Sequence, residues 1–421
     1  MKVRHCCLLI MPAFLFLHPA ANCAVAADEV PQPPVVESYL EKGELAEAAA
    51  ALEKLIAQQP NDQQARFSLG VVQFLQAIEH LGQSYHRYGL RTSRFVAGQI
   101  PLLRLPIPKN PHPEEMTYEA GGKILETFLA KLTVAEATLA KVDTTDVKLP
   151  LHFGRIRLDL NSDGNADQDE ALWKLLATVT RGGDQAAGEK FLIAFDGGDV
   201  HWLRGYCHLL SAFCDIALAY DGHELFERAG HLLISKNKTP YVYLTEDKKP
   251  QTGWINNGVF DIVAFIHLIN FPVVAPDRME SALVHLEAMI EQSRQSWKRI
   301  LAEKDDDREW LPNPNQSGVL PNVRVRQEMI DAWHEFLDEM ELLLQGKRLI
   351  PFWRGDQESQ ARGVNLHRVF TEPRRFDLVL WISGTAADPY LEDGPLTDPR
   401  VWQRLMRVFR GEFFGFAIWF N

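Results

Sequence analysis

The stretch "ELAEAAAALEKLIAQQPNDQQARFSLGVVQFL", residues 44–75, sets the character of the chain. Apolar residues at Leu45, Ala48, Leu52, Leu55 and Ile56 recur at the spacing of one helical face. The Pro60-Asn61-Asp62 turn then separates this helix from a second, which runs on toward Leu90. Two amphipathic helices joined by a short turn predict a mainly α architecture.

Similar stripes continue downstream. In "GGKILETFLAKLTVAEATLAKV", Ile124, Leu125, Phe128, Leu132, Ala135 and Leu139 line one face. Further helices are expected over 185–195, 201–220, 224–234, 257–270, 279–302 and 325–345. The run "GVFDIVAFIHLINFPVVA" is the most apolar internal stretch, but Asp261, His267 and Asn270 inside it would be costly in lipid, and Pro272 breaks it. It reads as a central buried helix. "RLIPFW", "GVNLHRVF" and "RFDLVLWISG" are short β-rich runs with turn signals between them, so a small sheet is expected near the C-terminus. In the closing "FFGFAIWFN", Phe414, Phe416, Ile418 and Phe420 alternate as in a strand packed into the body.

The organisation follows from composition. "MKVRHCCLLIMPAFLFLHPAANCAVAADE" has a short basic start, an apolar core and small residues before Asp28, the layout of a cleaved secretory signal over 1–27. Its about 12 apolar residues fall short of the ~20 that span a bilayer. A periplasmic or secreted chain with no transmembrane span is therefore expected. Residues 35–100 form the first helical region and 101–114 a proline-rich linker, with Pro101, Pro106, Pro108, Pro111 and Pro113. A helical body over 115–345 and a C-terminal α+β region over 346–421 follow. The formal net charge of -12, without a dense basic stripe, argues against nucleic acid as a partner. Cys207 and Cys214 lie seven apart on one helical face, too far along the axis to be bridged, and read as buried free thiols.

The first helical region resembles the tetratricopeptide repeat. Gly43, Ala48, Leu52 and Pro60 fall at that family's intervals, and Leu69-Gly70 match the opening of a following repeat. The next expected Ala and Pro are replaced by Gly82 and Arg94, so about one and a half repeats are covered. The resemblance implies a helix-pair scaffold, with a protein or peptide as partner.

"RLDLNSDGNADQDEALW", residues 157–173, carries the most chemistry. Asp159, Asn161, Asp163, Asn165, Asp167 and Glu170 set oxygen ligands at alternating places around Gly164, and this resembles the EF-hand calcium loop over 159–170. Ca2+ takes 6–8 oxygens at ~2.3–2.6 Å, which is why alternate side chains turn inward and a terminal Glu closes the shell. The eighth place, usually a bulky aliphatic that pairs with a sister loop, is Ala166, and no second loop of this spacing occurs. Ile156, Leu158 and Leu160 alternate with Arg155, Arg157 and Asp159, so the loop is expected to join a strand to a helix beginning near Glu170. The reading that results is an exported calcium-binding protein, its ion structural, acting in binding or scaffolding.

A metal-dependent or cleft hydrolase is the competing class. His223, Glu227 and His231 are spaced to share a helical face, and "FDGGDVHW" adds Asp196, Asp199 and His201. No nucleophile elbow, P-loop or dinucleotide fingerprint accompanies them.

Overall fold

The computed structural model describes residues 33–91, 105–179, 185–245, 257–320, 324–354, 362–409 and 417. The expected signal segment and the aromatic alternation at Phe414, Phe416, Ile418 and Phe420 lie outside them, as do residues 101–104 of the proline-rich segment.

The molecule is mainly α with small antiparallel sheets. Helix α1 (Glu37–Leu40) leads into the pair α2 (Leu45–Gln58) and α3 (Gln63–Tyr88). Asp62 starts α3 by accepting the Ala65 N–H at 2.8 Å, so the turn residue seen in the sequence is the N-cap. Helix α4 (Tyr118–Leu139) packs on α3, and its stripe of Phe128, Leu132, Ala135 and Leu139 is buried. Strand β1 (Lys148–His152), the short helices α5 (Trp173–Val179) and α6 (Gln185–Glu189), and strand β2 (Leu192–Asp196) follow. β1 and β2 pair antiparallel, Lys148 opposite Asp196 and His152 opposite Leu192.

Helix α7 (Gly197–Ala219) leaves β2 directly, and α8 (His223–Ala229) and α9 (Asn257–Leu268) come after it. Strand β3 (Asn270–Phe271) precedes the long α10 (Pro276–Ile300), which lies along α7, and α11 (Gln327–Leu344). The remainder alternates β4 (Ile350–Pro351), β5 (Gly363–Val364), α12 (Leu366–Thr371), β6 (Phe376–Asp377), α13 (Leu378–Ser383), β7 (Leu391–Glu392) and α14 (Pro399–Val408). β5 lies between β4 and β7, and β3 pairs with β6.

Two apolar cores meet at α7. The first gathers α2, α3, α4, β1, residues 156–160 and one face of α7, with Val200, Leu203, Cys207, Leu210 and Cys214. The second gathers Ala212 and Ala219 from another face of α7 with α10, α11, α12 and α14. Within it the Trp333 indole N–H donates to Ser293 Oγ at 3.0 Å, a buried α11–α10 bond that satisfies both polar groups. Cys207 and Cys214 are free and buried, and burial pushes both thiols well up, Cys214 to about 12.

Several local expectations are corrected. Residues 185–195 are a short helix followed by β2 rather than one helix, because Leu192, Ile193 and Ala194 pair with β1. The strand ahead of the acidic loop falls at Lys148–His152, not at 156–160. Phe153–Arg155 form a 3-10 turn, and beyond it only Arg157 makes a bridge, to Ala171. Ile156, Leu158 and Leu160 are nonetheless buried, so the alternation is that of an extended segment laid on a helix. In the C-terminal runs, Asn365 and Asp377 cap α12 and α13 and convert most of the β-rich residues to helix. The apolar run at α9 is helical but not central: Phe260, Ile262, Val263 and Ile266 are 54%, 60%, 61% and 42% exposed. Among the described residues no helix is long and apolar enough to cross a membrane.

Candidate metal-binding sites

Residues 159–170 form a wound turn closed by their own backbone. Asp159 carboxylate oxygens accept the N–H groups of Asp163 at 3.2 Å and Gly164 at 3.1 Å. Asn161 Oδ1 accepts from Asp163 N–H at 2.8 Å, and Asp163 Oδ1 from Asn165 N–H at 2.8 Å. The backbone turns through positive φ at Ser162 (61°) and Gly164 (85°); glycine is suited to the second for lack of a Cβ.

Glu170, wholly buried, reaches back across the loop. Its Oε1 accepts from Leu160 N–H at 2.9 Å and Asn161 N–H at 3.0 Å, and its Oε2 from Asp167 N–H at 3.2 Å. Asp167 and Glu170 make a reciprocal capping box on the 3-10 turn Gln168–Glu170, and α5 begins only at Trp173. Glu170 therefore sits in that turn, ahead of the helix that was expected to hold it. Burial first, and the nearby Asp167 charge, raise its pKa, against the pull of three backbone N–H donors.

Two residues of α3 back the loop and were not singled out from the sequence. Glu79 accepts the Asp159 N–H at 2.9 Å, and Gln83 donates to the Asp159 carbonyl at 2.9 Å. Burial, with Asp159 and Glu170 adding repulsion, lifts Glu79 to about 7. A cleft of about 580 Å³ opens between α3 and α4 beside the loop, lined by His80, Arg87, Tyr88, Lys123, Asn161 and Ser162 among others.

A second acidic group lies at the junction of β2, α7 and the end of α10. Ligand oxygens of Asp196, Glu303 and Glu309 all fall within 4.8 Å of one another, and among the described residues this is the group of three or more that meets such a limit. Asp196 caps α7 in a reciprocal box with Asp199, so Asp196, not Asp199, is the N-cap. Burial pushes Glu303 up to about 8 and Glu309 to about 7, and raises Asp196 and Asp199 as well. Lys148 sits at the rim, 2.5 Å from Asp305 and 3.4 Å from Asp307. The acidic run at 303–309 was visible in the sequence, but nothing in its spacing tied it to Asp196.

The histidine face does not assemble. α8 ends at Ala229, and His231 falls in a following 3-10 turn, buried, while His223 stays beside Glu227 at 3.7 Å. His201 bonds Gln292 at 2.8 Å and Asp199 is taken up in the α7 cap. The structure brings none of these into a shared group of three ligands among the described residues. Compared with protein-family models, with curated proteins and with solved structures, the chain finds no match.

Proposed function

We propose that the chain is an exported, calcium-stabilised binding or scaffolding protein, with one Ca2+ held at Asp159, Asn161, Asp163, Asn165, Asp167 and Glu170. The observation that carries the reading is the closure of the loop. Glu170, buried at its end, is bonded back to the N–H groups of Leu160 and Asn161 at its beginning, so the two ends of the loop are held together. Backbone N–H groups offset part of the negative charge, whereas Glu79, Asp159 and Glu170 still repel one another. A hard divalent cation relieves that repulsion while adding its own coordination energy. The ion would then fasten residues 156–160 to α5 and, through Glu79 and Gln83, to α3.

Scaffolding rather than signalling fits a solitary loop, since the opening of paired hands needs two. The tetratricopeptide-like helix pair and the neighbouring cleft between α3 and α4 are the surface on which a protein or peptide would rest.

Thermal unfolding of the purified chain with Ca2+ and with a chelator tests the calcium step. Saturating Ca2+ raises the midpoint, by about 2.7 kcal/mol of stability at a hundredfold excess over the dissociation constant. Asp163→Ala, at an exposed loop position, and Asp159→Ala with Glu170→Gln abolish the rise. Identical melting curves with and without chelator would overturn the proposal.

A further inference from the structure

Between α7 and α10, away from both acidic sites, two histidines face each other. His208 Nδ1 and His285 Nδ1 are 3.0 Å apart, with ring centroids 5.3 Å apart and planes at 42°. The opposite edge of each ring meets a carboxylate: His208 Nε2 is 3.6 Å from Glu136 of α4, and His285 Nε2 is 3.8 Å from Asp215 of α7. Each carboxylate is in turn fixed by an arginine, Arg204 on Glu136 at 2.9 Å and Arg278 on Asp215 at 2.8 Å.

This order of charges favours one tautomer in each ring. A carboxylate beside Nε2 favours the proton there, and His208, ahead of Arg204, holds Glu136 down at about 2, fully ionised. With a proton on Nε2 of both neutral rings, both Nδ1 atoms present lone pairs to one another. Two acceptors at 3.0 Å repel unless a positive centre lies between them. A proton could serve, but in the neutral pair the ring that donates Nδ1–H turns a bare Nε2 lone pair toward its carboxylate, and a doubly protonated ring would be cationic where burial and the neighbouring ring already depress His285. A transition-metal ion takes both lone pairs and leaves each Nε2–H on its carboxylate, the outer arrangement that metal-bound histidines commonly show.

We propose that His208 and His285 form a two-nitrogen seat for a divalent transition-metal ion of the Cu2+ class, tying α7 to α10. The separation selects the metal. Nitrogens 3.0 Å apart, each about 2.0–2.1 Å from a common ion, subtend an angle of roughly 94°. That is a cis angle of a square-planar or tetragonal ion, narrower than the tetrahedral angle Zn2+ prefers. Cu2+ also binds imidazole nitrogen most tightly among the first-row divalent ions. The side chains keep 16% and 27% of their surface exposed, so water can fill the remaining positions.

The full chain, first saturated with Ca2+ to occupy oxygen sites, is titrated with Cu2+ at neutral pH and followed by electron paramagnetic resonance. The expected result is one equivalent whose superhyperfine splitting reports two nitrogens. His208→Gln and His285→Gln each remove that two-nitrogen signature and weaken binding at least about tenfold, whereas His223→Gln, at an exposed histidine elsewhere, leaves it intact. Oxygen-only or single-nitrogen spectra, or a signature that survives both substitutions, would sink the proposal. In the unaltered chain, carbethoxylation read by mass spectrometry gives a second measurement that needs no variant to fold. Cu2+ protects His208 and His285 if the seat is real, and equal modification with and without the ion overturns it.

Discussion

Ala166 and Gly82 depart from the repeat patterns around them, and both departures have a steric cause. A Cβ built on Gly82 would stand 2.4 Å from Leu160 Cδ2, so the missing side chain lets the segment before the acidic loop lie directly on α3. Ala166 occupies the place where a bulky aliphatic pairs two calcium loops. Here it abuts Gly43, whose added Cβ would come within 2.3 Å of Ala166 Cβ, and the partner of the loop is thus the α1–α2 turn. Arg157 N–H, bonded to the Leu40 carbonyl at 3.0 Å, strengthens that contact. Gly43 also has φ 74°, in the left-handed region. Gly43→Ala is therefore expected to cost at least about 2 kcal/mol from backbone strain and overpacking together, read as a lowered denaturation midpoint at unchanged m-value. A midpoint like that of the parent would mean that the turn and loop do not pack as described.

Among the elements, helices with one clear apolar stripe were legible: the registers of α2, α3, α4 and α11 follow from Leu, Ala and Phe at helical intervals. Elements decided by partners were not. Leu192–Asp196 becomes a strand because β1 offers it an edge, and a single sequence does not specify which distant segment will do so. The turns at Asn365 and Asp377 were readable as caps in principle, yet the surrounding β-branched and aromatic residues outweighed them in the sequence reading. α9 failed differently, because apolar content alone does not say whether neighbours exist to cover it. It packs on α8 and α13, while Phe260, Ile262, Val263 and Ile266 face outward. Ile262→Lys together with Val263→Lys should therefore leave the unfolding free energy within about 0.5 kcal/mol of the parent, as for other exposed positions. A loss of several kcal/mol by calorimetry would instead place that face in the core.

At the scale of the whole molecule, the acidic junction ties β2 and α7 to the end of α10, segments far apart in the chain, and it makes stability depend on pH. The wound turn at residues 159–170 is built from contiguous sequence and was legible as a turn, whereas Glu303 and Glu309 meet Asp196 only through folding. Glu303 has its carboxyl held at about 8 in the fold against an ordinary 4.5, so the folded state keeps a proton that the unfolded chain releases. Its contribution is full below about 4.5 and is lost as pH rises through about 8, and Glu309 acts in the same direction. Glu303→Gln removes this titration. The melting temperature of the variant minus that of the parent is expected to be small at pH 5, to grow up to about pH 8 and then to level off; a difference independent of pH would show that Glu303 is not held protonated.

α7 runs through all of this. One end is capped by Asp196, one face from Val200 to Cys214 fills one core, His208 faces α10, and Ala212 and Ala219 on another face fill the other core. Such a helix has no spare register. One inserted residue turns everything beyond it by about 100° and advances it about 1.5 Å, so Ala212 and Ala219 would leave their core while Val200 kept its own. Across related chains, then, length variation should gather in the turns around the small sheets, and the span from Asp196 to Ala219 should stay fixed in length even where its residues change.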